Sequence, residues 1–220
     1  MARIAIMQPY FIPYAGYFRL FMNTDVFVVH DAVQFPRGGW VHRNRLRLWS
    51  GELAWLTLPL KRQPLAAQIA ETRFAADAAA RLESAARRFP ALARPAEQEA
   101  PLVEAINQVG ASFTDYLLRL LKISCDLLEI ALPEIRLSSA MRLPPTLRGV
   151  DRIYEICRRL NARTYVNAPG GAALYDPTEF ARRGINLRLL PPYAAPTESI
   201  LQRLHNETAS DIRKEIRSNL

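Results

Sequence analysis

The sequence predicts an α/β fold built around a mostly parallel β-sheet. Two short runs, residues 3–7 and 25–30, are continuous in apolar character, which is typical of strands buried on both faces. A glycine-containing turn and a helical pattern at residues 16–22 lie between them, so the three segments form one strand–helix–strand unit of about 30 residues. The middle third of the chain is almost purely helical. We therefore expect one α/β domain over residues 1–220, with a helical subdomain at about 77–132.

The remaining elements are predicted in chain order from the same patterns. Residues 43–49 and 53–60 carry β-type residues, and Ser50-Gly51 between them indicates a hairpin. The later predicted elements are a helix at 77–89, one or two helices at 102–132, a strand at 135–139, a helix at 150–160, a strand at 164–167, a helix at 177–183, a strand at 186–190 and a helical tail at 197–219.

The composition limits the class of protein. Half of the residues are apolar and 23% are charged, so the chain can bury a core and wholesale disorder is excluded. There is no uninterrupted apolar run of about 18 residues and no signal-peptide pattern, so we expect neither a membrane span nor a secretory leader. Two cysteines, Cys125 and Cys157, are too few for a disulfide framework, and we expect a cytoplasmic protein with reduced thiols.

The basic residues are mostly arginines. The formal net charge is +8, and only Lys61, Lys122 and Lys214 among the 29 basic residues are lysines. The sequence leaves two explanations open: a nucleotide-composition bias, or an electropositive cleft for a small or carrier-bound anionic substrate. A nucleic-acid partner is not expected, because the basic residues are scattered and no nucleic-acid-binding motif is present. A homodimer is compatible with the sequence.

The first candidate site is the segment 8–17, directly after the first predicted strand. Ligands of open α/β sheets bind outside the carboxyl ends of the strands, and a helix that starts at Gly16 would offer free N–H groups to an anion. The alternative is that the aromatic side chains only pack the turn against the sheet. Gln8 fits that alternative poorly, because a buried amide needs partners. The binding candidates are Gln8, Tyr14 and Gly16, and Tyr17 is a catalytic candidate.

The second candidate site is the segment 30–45, which follows the second strand at the same edge of the sheet. An aspartate there can orient or deprotonate a nucleophile, an arginine can hold a carboxylate or phosphate, and a tryptophan can cover a ring. A histidine at the end of an apolar strand is either an acid–base group or, more often, a core residue. The catalytic candidates are His30 and Asp31, and the binding candidates are Gln34, Trp40, Arg43 and Asn44.

The third candidate site is the segment 165–175. Adjacent glycines after a strand let the backbone approach a ligand closely, although a plain turn explains them equally well. The binding candidates are Gly170, Gly171 and Tyr175, joined by Ser138 and Ser139, which could hold a phosphate or cap a helix. No group of His, Cys and acidic residues has metal-ligand spacing, so no metal is predicted. Both cysteines lie in helical patterns, where buried thiols are usually inert.

These segments together resemble the WbqC-like protein family. The resemblance rests on QPYFIPYAGYF at residues 8–18, DVFV at 25–28, DAVQF at 31–35, Trp40, Arg43-Asn44, WLTLP at 55–59, Ser138-Ser139, ARTYV at 162–166, Gly170-Gly171 and Tyr175. It spans most of the chain. The family's usual tail is only partly kept, since Gln202 stands in place of its acid and the later glycine is lost. The second loop has Ala32 where the family usually carries a further acid.

The resemblance implies a biosynthetic enzyme, because such proteins are typically encoded among genes for O-antigen, capsule or secondary-metabolite assembly. A weaker similarity is to nucleotidylyltransferases, which carry His-x-Gly-His where this chain has Tyr14-Ala15-Gly16-Tyr17. That similarity implies a Rossmann-like sheet of the HUP/nucleotidylyltransferase type. It does not carry over the two imidazoles.

Three functions stand as alternatives. The first is a transferase that moves an acyl or aminoacyl group from an activated donor, such as an acyl thioester or a nucleotide, onto an amino sugar in O-antigen, lipopolysaccharide or natural-product assembly. The second is an ATP-dependent nucleotidyltransferase or ligase, and the third is a non-catalytic binding partner in a biosynthetic complex. The enzymatic alternatives expect the turns after the first two strands, with the glycine pair, to converge on one cavity that prefers negative charge.

Overall fold

The fold is organised by a five-stranded parallel sheet and a separate antiparallel hairpin. The computed structural model describes residues 2–110 and 112–220. The sheet strands are β1 (Ala2–Met7), β2 (Val26–Val29), β5 (Glu134–Leu137), β6 (Ala162–Asn167) and β7 (Asn186–Leu189), and they lie in the order β5-β2-β1-β6-β7. Each neighbouring pair is parallel. The hairpin consists of β3 (Arg43–Arg47) and β4 (Leu53–Thr57).

The helices connect the strands and cover both faces of the sheet. They are α1 (Arg19–Met22), α2 (Ala78–Ala86), α3 (Pro90–Ala93), α4 (Ala100–Asn107), α5 (Phe113–Leu127), α6 (Gly149–Arg159), α7 (Pro177–Arg182), α8 (Ile200–Asn206) and α9 (Ala209–Ser218). Short 3₁₀ turns lie at Ala15–Phe18, Ile69–Glu71, Ser139–Met141 and Pro169–Ala173. Ser112 and Thr208 cap α5 and α9 by accepting a backbone N–H three residues later, as serine and threonine commonly do.

The sheet is buried on both faces because successive strand residues point to opposite sides and both sides are apolar. Ala5 and Phe27 belong to the core that the sheet shares with the hairpin and with α2 to α5. Ile4 and Val28, one position away, pack with residues of α6 and α7. This arrangement explains why β1 and β2 are continuous in apolar character rather than alternating.

The strand order determines where the polar loops meet. Counted along the chain without the hairpin, the order is 3-2-1-4-5, so the succession of strands reverses between β1 and β6. In open parallel sheets, ligands bind outside the carboxyl ends of the strands at that point of reversal. The loops after β1, β2 and β6, together with the start of α6, lie at this edge.

The α/β class and the mostly parallel central sheet are confirmed. The hairpin around Ser50-Gly51, the helices of the middle third and the alternating elements after residue 134 lie where the sequence predicts them. The helical subdomain at about 77–132 stays a prediction. Within residues 2–110 and 112–220, none of the helices combines the length and apolar character that crossing a bilayer requires.

Candidate functional site

A cavity of about 690 Å³ opens at the carboxyl edge of the sheet, and we call it the carboxyl-edge cavity. Its lining residues are Gln8, His30, Ala32, Val33, Gln34, Ala66, Gln68, Leu147, Arg148, Gly149, Val150, Arg152, Ile153, Leu174 and Tyr175. They come from the loops after β1, β2 and β6, from the segment 66–68 and from the start of α6. This lining contains two arginines and no carboxylate, so the cavity favours anions.

The start of α6 forms the basic wall of the cavity. Arg148 directly precedes the helix, and Arg152, one turn further on, is only 9% exposed. The Arg152 guanidinium donates to the backbone oxygen of Ala32, but its buried Nε has no hydrogen-bond partner among the described residues. Free N–H groups and the helix dipole add to the positive character. An anion bound here would lie beside the nearly buried Arg152 guanidinium at the start of an 11-residue helix.

His30 is the histidine of the described cavity lining. Its backbone N–H donates to the Met7 oxygen at 2.8 Å, which holds the loop after β2 beside the end of β1. Its Nδ1 is buried without a partner in the part of the chain that the structure describes. Burial and the nearby Arg152 guanidinium lower the pKa of His30 to about 4, against a smaller opposing effect of Asp31. The imidazole is therefore neutral at pH 7 and, at this pKa, a weak proton acceptor.

Four of the sequence-predicted residues, Gln8, His30, Gln34 and Tyr175, come together in this cavity. Gln34 is held in place because its amide donates to the Leu65 oxygen at 2.7 Å. The Tyr175 hydroxyl accepts from the buried Tyr165 hydroxyl at 3.2 Å, which fixes the tyrosine at the edge of the cavity.

Asp31 does not line the cavity but joins β2 to β5 beneath it. The Asp31 carboxylate is 1% exposed and accepts from the Ser138 hydroxyl at 3.0 Å, the Ser139 N–H at 2.9 Å and the Ser139 hydroxyl at 2.6 Å. The Ser138 hydroxyl in turn accepts from the Ala32 N–H at 3.0 Å. These bonds position the loop that carries His30 and the Ala32 oxygen to which Arg152 donates.

Apart from Gln8, the residues predicted in the first loop, namely Tyr14, Gly16 and Tyr17, are not part of the described cavity lining. The Tyr17 side chain is buried, its hydroxyl donates to the Gln8 oxygen at 3.0 Å, and burial raises the pKa of Tyr17 above its usual value. Gly16 is required by close packing, since a Cβ there would lie 2.4 Å from the Tyr14 ring and 2.7 Å from the Tyr193 ring. The aromatic packing that the sequence left open as an alternative is therefore the contact that the structure shows for Tyr14 and Tyr17.

The hairpin residues form a second cluster away from the cavity. Asn44 is buried and its amide donates to the Phe11 and Ile12 oxygens at 3.1 and 2.7 Å. Arg43 donates to the Gly38 oxygen at 2.7 Å and stacks over the Trp55 ring at 4.2 Å. Trp40 is 38% exposed and contacts the same ring. Within the described chain, neither Arg43 nor Trp40 reaches the carboxyl-edge cavity.

The glycine pair lies in the 3₁₀ turn that leads from β6 to Tyr175. A Cβ at Gly171 would lie 2.7 Å from the Asn167 amide and 3.1 Å from the Tyr175 ring, so this position needs glycine for packing. Gly170 has open space instead. The pair shapes the edge of the cavity through Tyr175 rather than by lining it.

Sequence reasoning missed Arg148 and Arg152. A signal was present: the helix predicted at 150–160 follows a strand, so its start had to lie at the same sheet edge as Gln8 and His30. The thiols of Cys125 and Cys157 are buried, and burial raises the pKa of each to about 12. In the described chain, no group of three or more His, Cys, Asp or Glu side chains is arranged to hold a metal ion.

Comparisons with known proteins give one family and one relative. The model of the WbqC-like protein family matches residues 8–198. The uncharacterized protein Rv1507c of Mycobacterium tuberculosis is 27% identical over 196 residues, which cover 85% of this chain and 81% of that protein. No solved structure matches the chain significantly.

Proposed function

The chain belongs to the WbqC-like protein family, and from that premise we propose that it is a biosynthetic transferase. It moves an acyl or aminoacyl group from an activated anionic donor to the amino group of an amino sugar or a similar acceptor. The setting is O-antigen, lipopolysaccharide or natural-product assembly. The supporting observation is that Arg148, Arg152 and a neutral His30 line one cavity where the strand order reverses.

The donor binds through its negative charge. Arg152 and the free N–H groups at the start of α6 hold a phosphate or carboxylate of the donor, and the exposed Arg148 contributes from the helix terminus. An acyl thioester on a phosphate-bearing carrier and an acylated nucleotide both fit this chemistry. Gln8 and Tyr175 lie on the same lining and orient the acceptor.

Transfer proceeds directly from donor to acceptor. The amine attacks the acyl carbon, a C–N bond forms, and the bond from that carbon to the leaving group breaks. His30 takes the proton that the amine loses, and the proton is then passed to the leaving group. The lining residues that the structure describes include no cysteine or serine to carry a covalent intermediate. Asp31 acts as a positioning residue through Ser138, Ser139 and the Ala32 backbone.

Donor binding also prepares the base. The Arg152 guanidinium contributes to the low pKa of His30, so an anion bound at Arg152 offsets that charge. The pKa of His30 then rises from about 4 toward its ordinary value, which makes the imidazole a stronger proton acceptor.

The proposal is tested by turnover. Purified protein is incubated with acyl thioesters and amino sugars, and new amides are identified by mass spectrometry. We expect an amide product, kinetics that require both substrates to be bound together, and no acylated protein in the intact mass. His30→Gln should lose the product, whereas His205→Gln, which keeps a donor toward the buried Glu99, should retain it. A covalent acyl-protein, or equal activity in both variants, would contradict the proposed chemistry.

A second candidate is ATP-dependent nucleotidyl transfer or ligation on a HUP/nucleotidylyltransferase-like fold. The 3-2-1-4-5 parallel order supports it, because nucleotide-binding α/β sheets share that order. Pyrophosphate release that depends on both ATP and acceptor would favour this function over acyl transfer. Turnover of neither kind, with specific capture of another biosynthetic protein, would favour a binding partner. A cytoplasmic location and a homodimer stay predictions.

A further inference from the structure

A second cavity, of about 860 Å³, is lined by residues that the proposed transfer does not use. We call it the basic cavity. The same two chain segments contribute to both cavities: Gln34 and Gln68 line the carboxyl-edge cavity, while the neighbouring Phe35 and Leu65 line the basic cavity. The two segments are held together by hydrogen bonds, including Phe35 N–H to the Ala67 oxygen at 2.9 Å. The basic cavity is therefore a distinct site built against the same pair of segments.

The charged side chains in the described lining of the basic cavity are all positive. Arg37 comes from the loop after β2, Lys61 and Arg62 from the segment after β4, and Arg81 from α2, and the described lining includes no carboxylate. Arg37 donates to the Gln63 oxygen at 3.3 Å, and Arg81 forms an exposed ion pair at 3.6 Å with Asp77, the residue that precedes α2. Like charges gathered from separate segments repel one another unless an anion lies between them.

The cavity also has an apolar wall with an unpaired imidazole. Phe35 is 9% exposed and Leu60 is half-buried, so these two supply the accessible part of the wall, while Leu58 and Pro59 are buried. The His42 ring lies 5.0 Å from the Phe35 ring, and its buried Nδ1 has no partner in residues 2–110 and 112–220. A flat ring packs against such a wall, while phosphates reach the surrounding cations.

We propose that the basic cavity binds a nucleoside phosphate with at least two phosphate groups, its base on the wall of Phe35 and Leu60 and its phosphates among Lys61, Arg62 and Arg81. The several cations favour more than one phosphate, and the apolar wall favours a ring over an inorganic ion. This site is independent of the proposed transfer at the carboxyl-edge cavity.

The test is calorimetric titration of the full chain with ADP, pyrophosphate and adenosine at low and moderate salt. ADP should bind more tightly than either part alone. Arg62→Gln should weaken ADP about fivefold to tenfold, since one charge-assisted contact is lost. Arg163→Gln removes the same charge from an exposed position of β6 and should leave ADP affinity unchanged.

Further outcomes decide where the nucleotide binds. The imidazole signals of His42 should shift when ADP binds, in the wild type and in Arg152→Gln alike. ADP affinity that is lost in Arg152→Gln but kept in Arg62→Gln would place the nucleotide in the carboxyl-edge cavity and overturn the proposal. Equal affinity for ADP and pyrophosphate would overturn the nucleoside assignment, and no ADP binding would overturn the site.

Discussion

The carboxyl-edge cavity and the aromatic loop at residues 10–18 both lie at the carboxyl end of β1. They differ in whether their buried polar groups have hydrogen-bond partners. In the loop, the Tyr17 hydroxyl donates to a backbone oxygen, and the Asn44 amide donates to two more. In the cavity, Arg152 and His30 each keep a buried nitrogen without a partner among the described residues. These loop groups have hydrogen-bond partners within the protein, whereas the two cavity nitrogens have none in the described chain.

The difference shows that most of the densest sequence motif is used for packing and does not line the cavity. The loop contributes rigidity, since it holds the buried Ile12 at φ 41°, a conformation that β-branched residues rarely adopt. Asn44 supports that conformation by binding the Phe11 and Ile12 oxygens. The cavity carries the Arg148 and Arg152 guanidiniums and the His30 imidazole. Substitutions should therefore separate into those that change stability and those that change chemistry.

The largest effect is expected for His30→Gln. Loss of a general base costs about 100-fold or more in kcat. The substitution removes the proton acceptor but keeps an amide of similar size, so the unfolding midpoint in urea should change little at pH 7. Steady-state kinetics and urea unfolding on the same preparation check this prediction. A kcat within about threefold of wild type would show that His30 is not the base.

The next effect, on stability, is expected for Asp31→Ala. The substitution leaves two hydroxyls and one N–H without their acceptor, so the free energy of unfolding should fall by about 3 kcal/mol. Asp25→Ala, at the other end of β2, removes an exposed ion pair with Arg3 and should cost less than about 1 kcal/mol. Chemical denaturation measures both variants. Equal losses would mean that the Asp31 bonds do not join β2 to β5 in solution.

Asn44→Ala tests whether the aromatic loop affects stability alone. Two buried hydrogen bonds to the Phe11 and Ile12 oxygens are lost, so the free energy of unfolding should fall by about 2 kcal/mol. Anion affinity of the carboxyl-edge cavity should stay unchanged, because Asn44 is not part of its described lining. Sulfate titration of the variant below its unfolding transition provides the readout. A loss of sulfate affinity in Asn44→Ala would show that the loop belongs to the anion site.

The smallest of these effects is expected for Arg152→Gln. The loss of one guanidinium should weaken anion binding about tenfold. Arg119→Gln is the matched control, because Arg119 also donates to a backbone oxygen and also has a buried, unpaired Nε, but it lies on α5. Calorimetry with sulfate distinguishes the two variants. Similar sulfate affinities in Arg152→Gln and Arg119→Gln would show that Arg152 does not bind the anion.

The sequence predicted the fold better than it predicted the site. Continuous apolar runs, the Ser50-Gly51 turn and helical spacing are local signals, and they placed the strands and helices. Sequence also identified Gln8 and His30, because both directly follow buried strands at one sheet edge. Arg152 was not predicted, because the contact that holds its side chain at the cavity is a hydrogen bond to a backbone oxygen distant in the chain, that of Ala32. The side chains of Tyr17 and Arg43 are engaged by other parts of the protein, the Gln8 oxygen for Tyr17 and the Trp55 ring for Arg43. No local sequence pattern reveals such packing partners.

The most direct test is an NMR titration of the imidazoles with and without sulfate, which stays a dianion at low pH. The chain has only three histidines, so the spectrum can be assigned with single variants. Without sulfate, His30 should titrate near pH 4. Bound sulfate favours the charged imidazolium, so the pKa of His30 should rise, and in Arg152→Gln the rise should need about tenfold more sulfate. An unchanged His30 pKa at saturating sulfate would contradict an anion site beside this base.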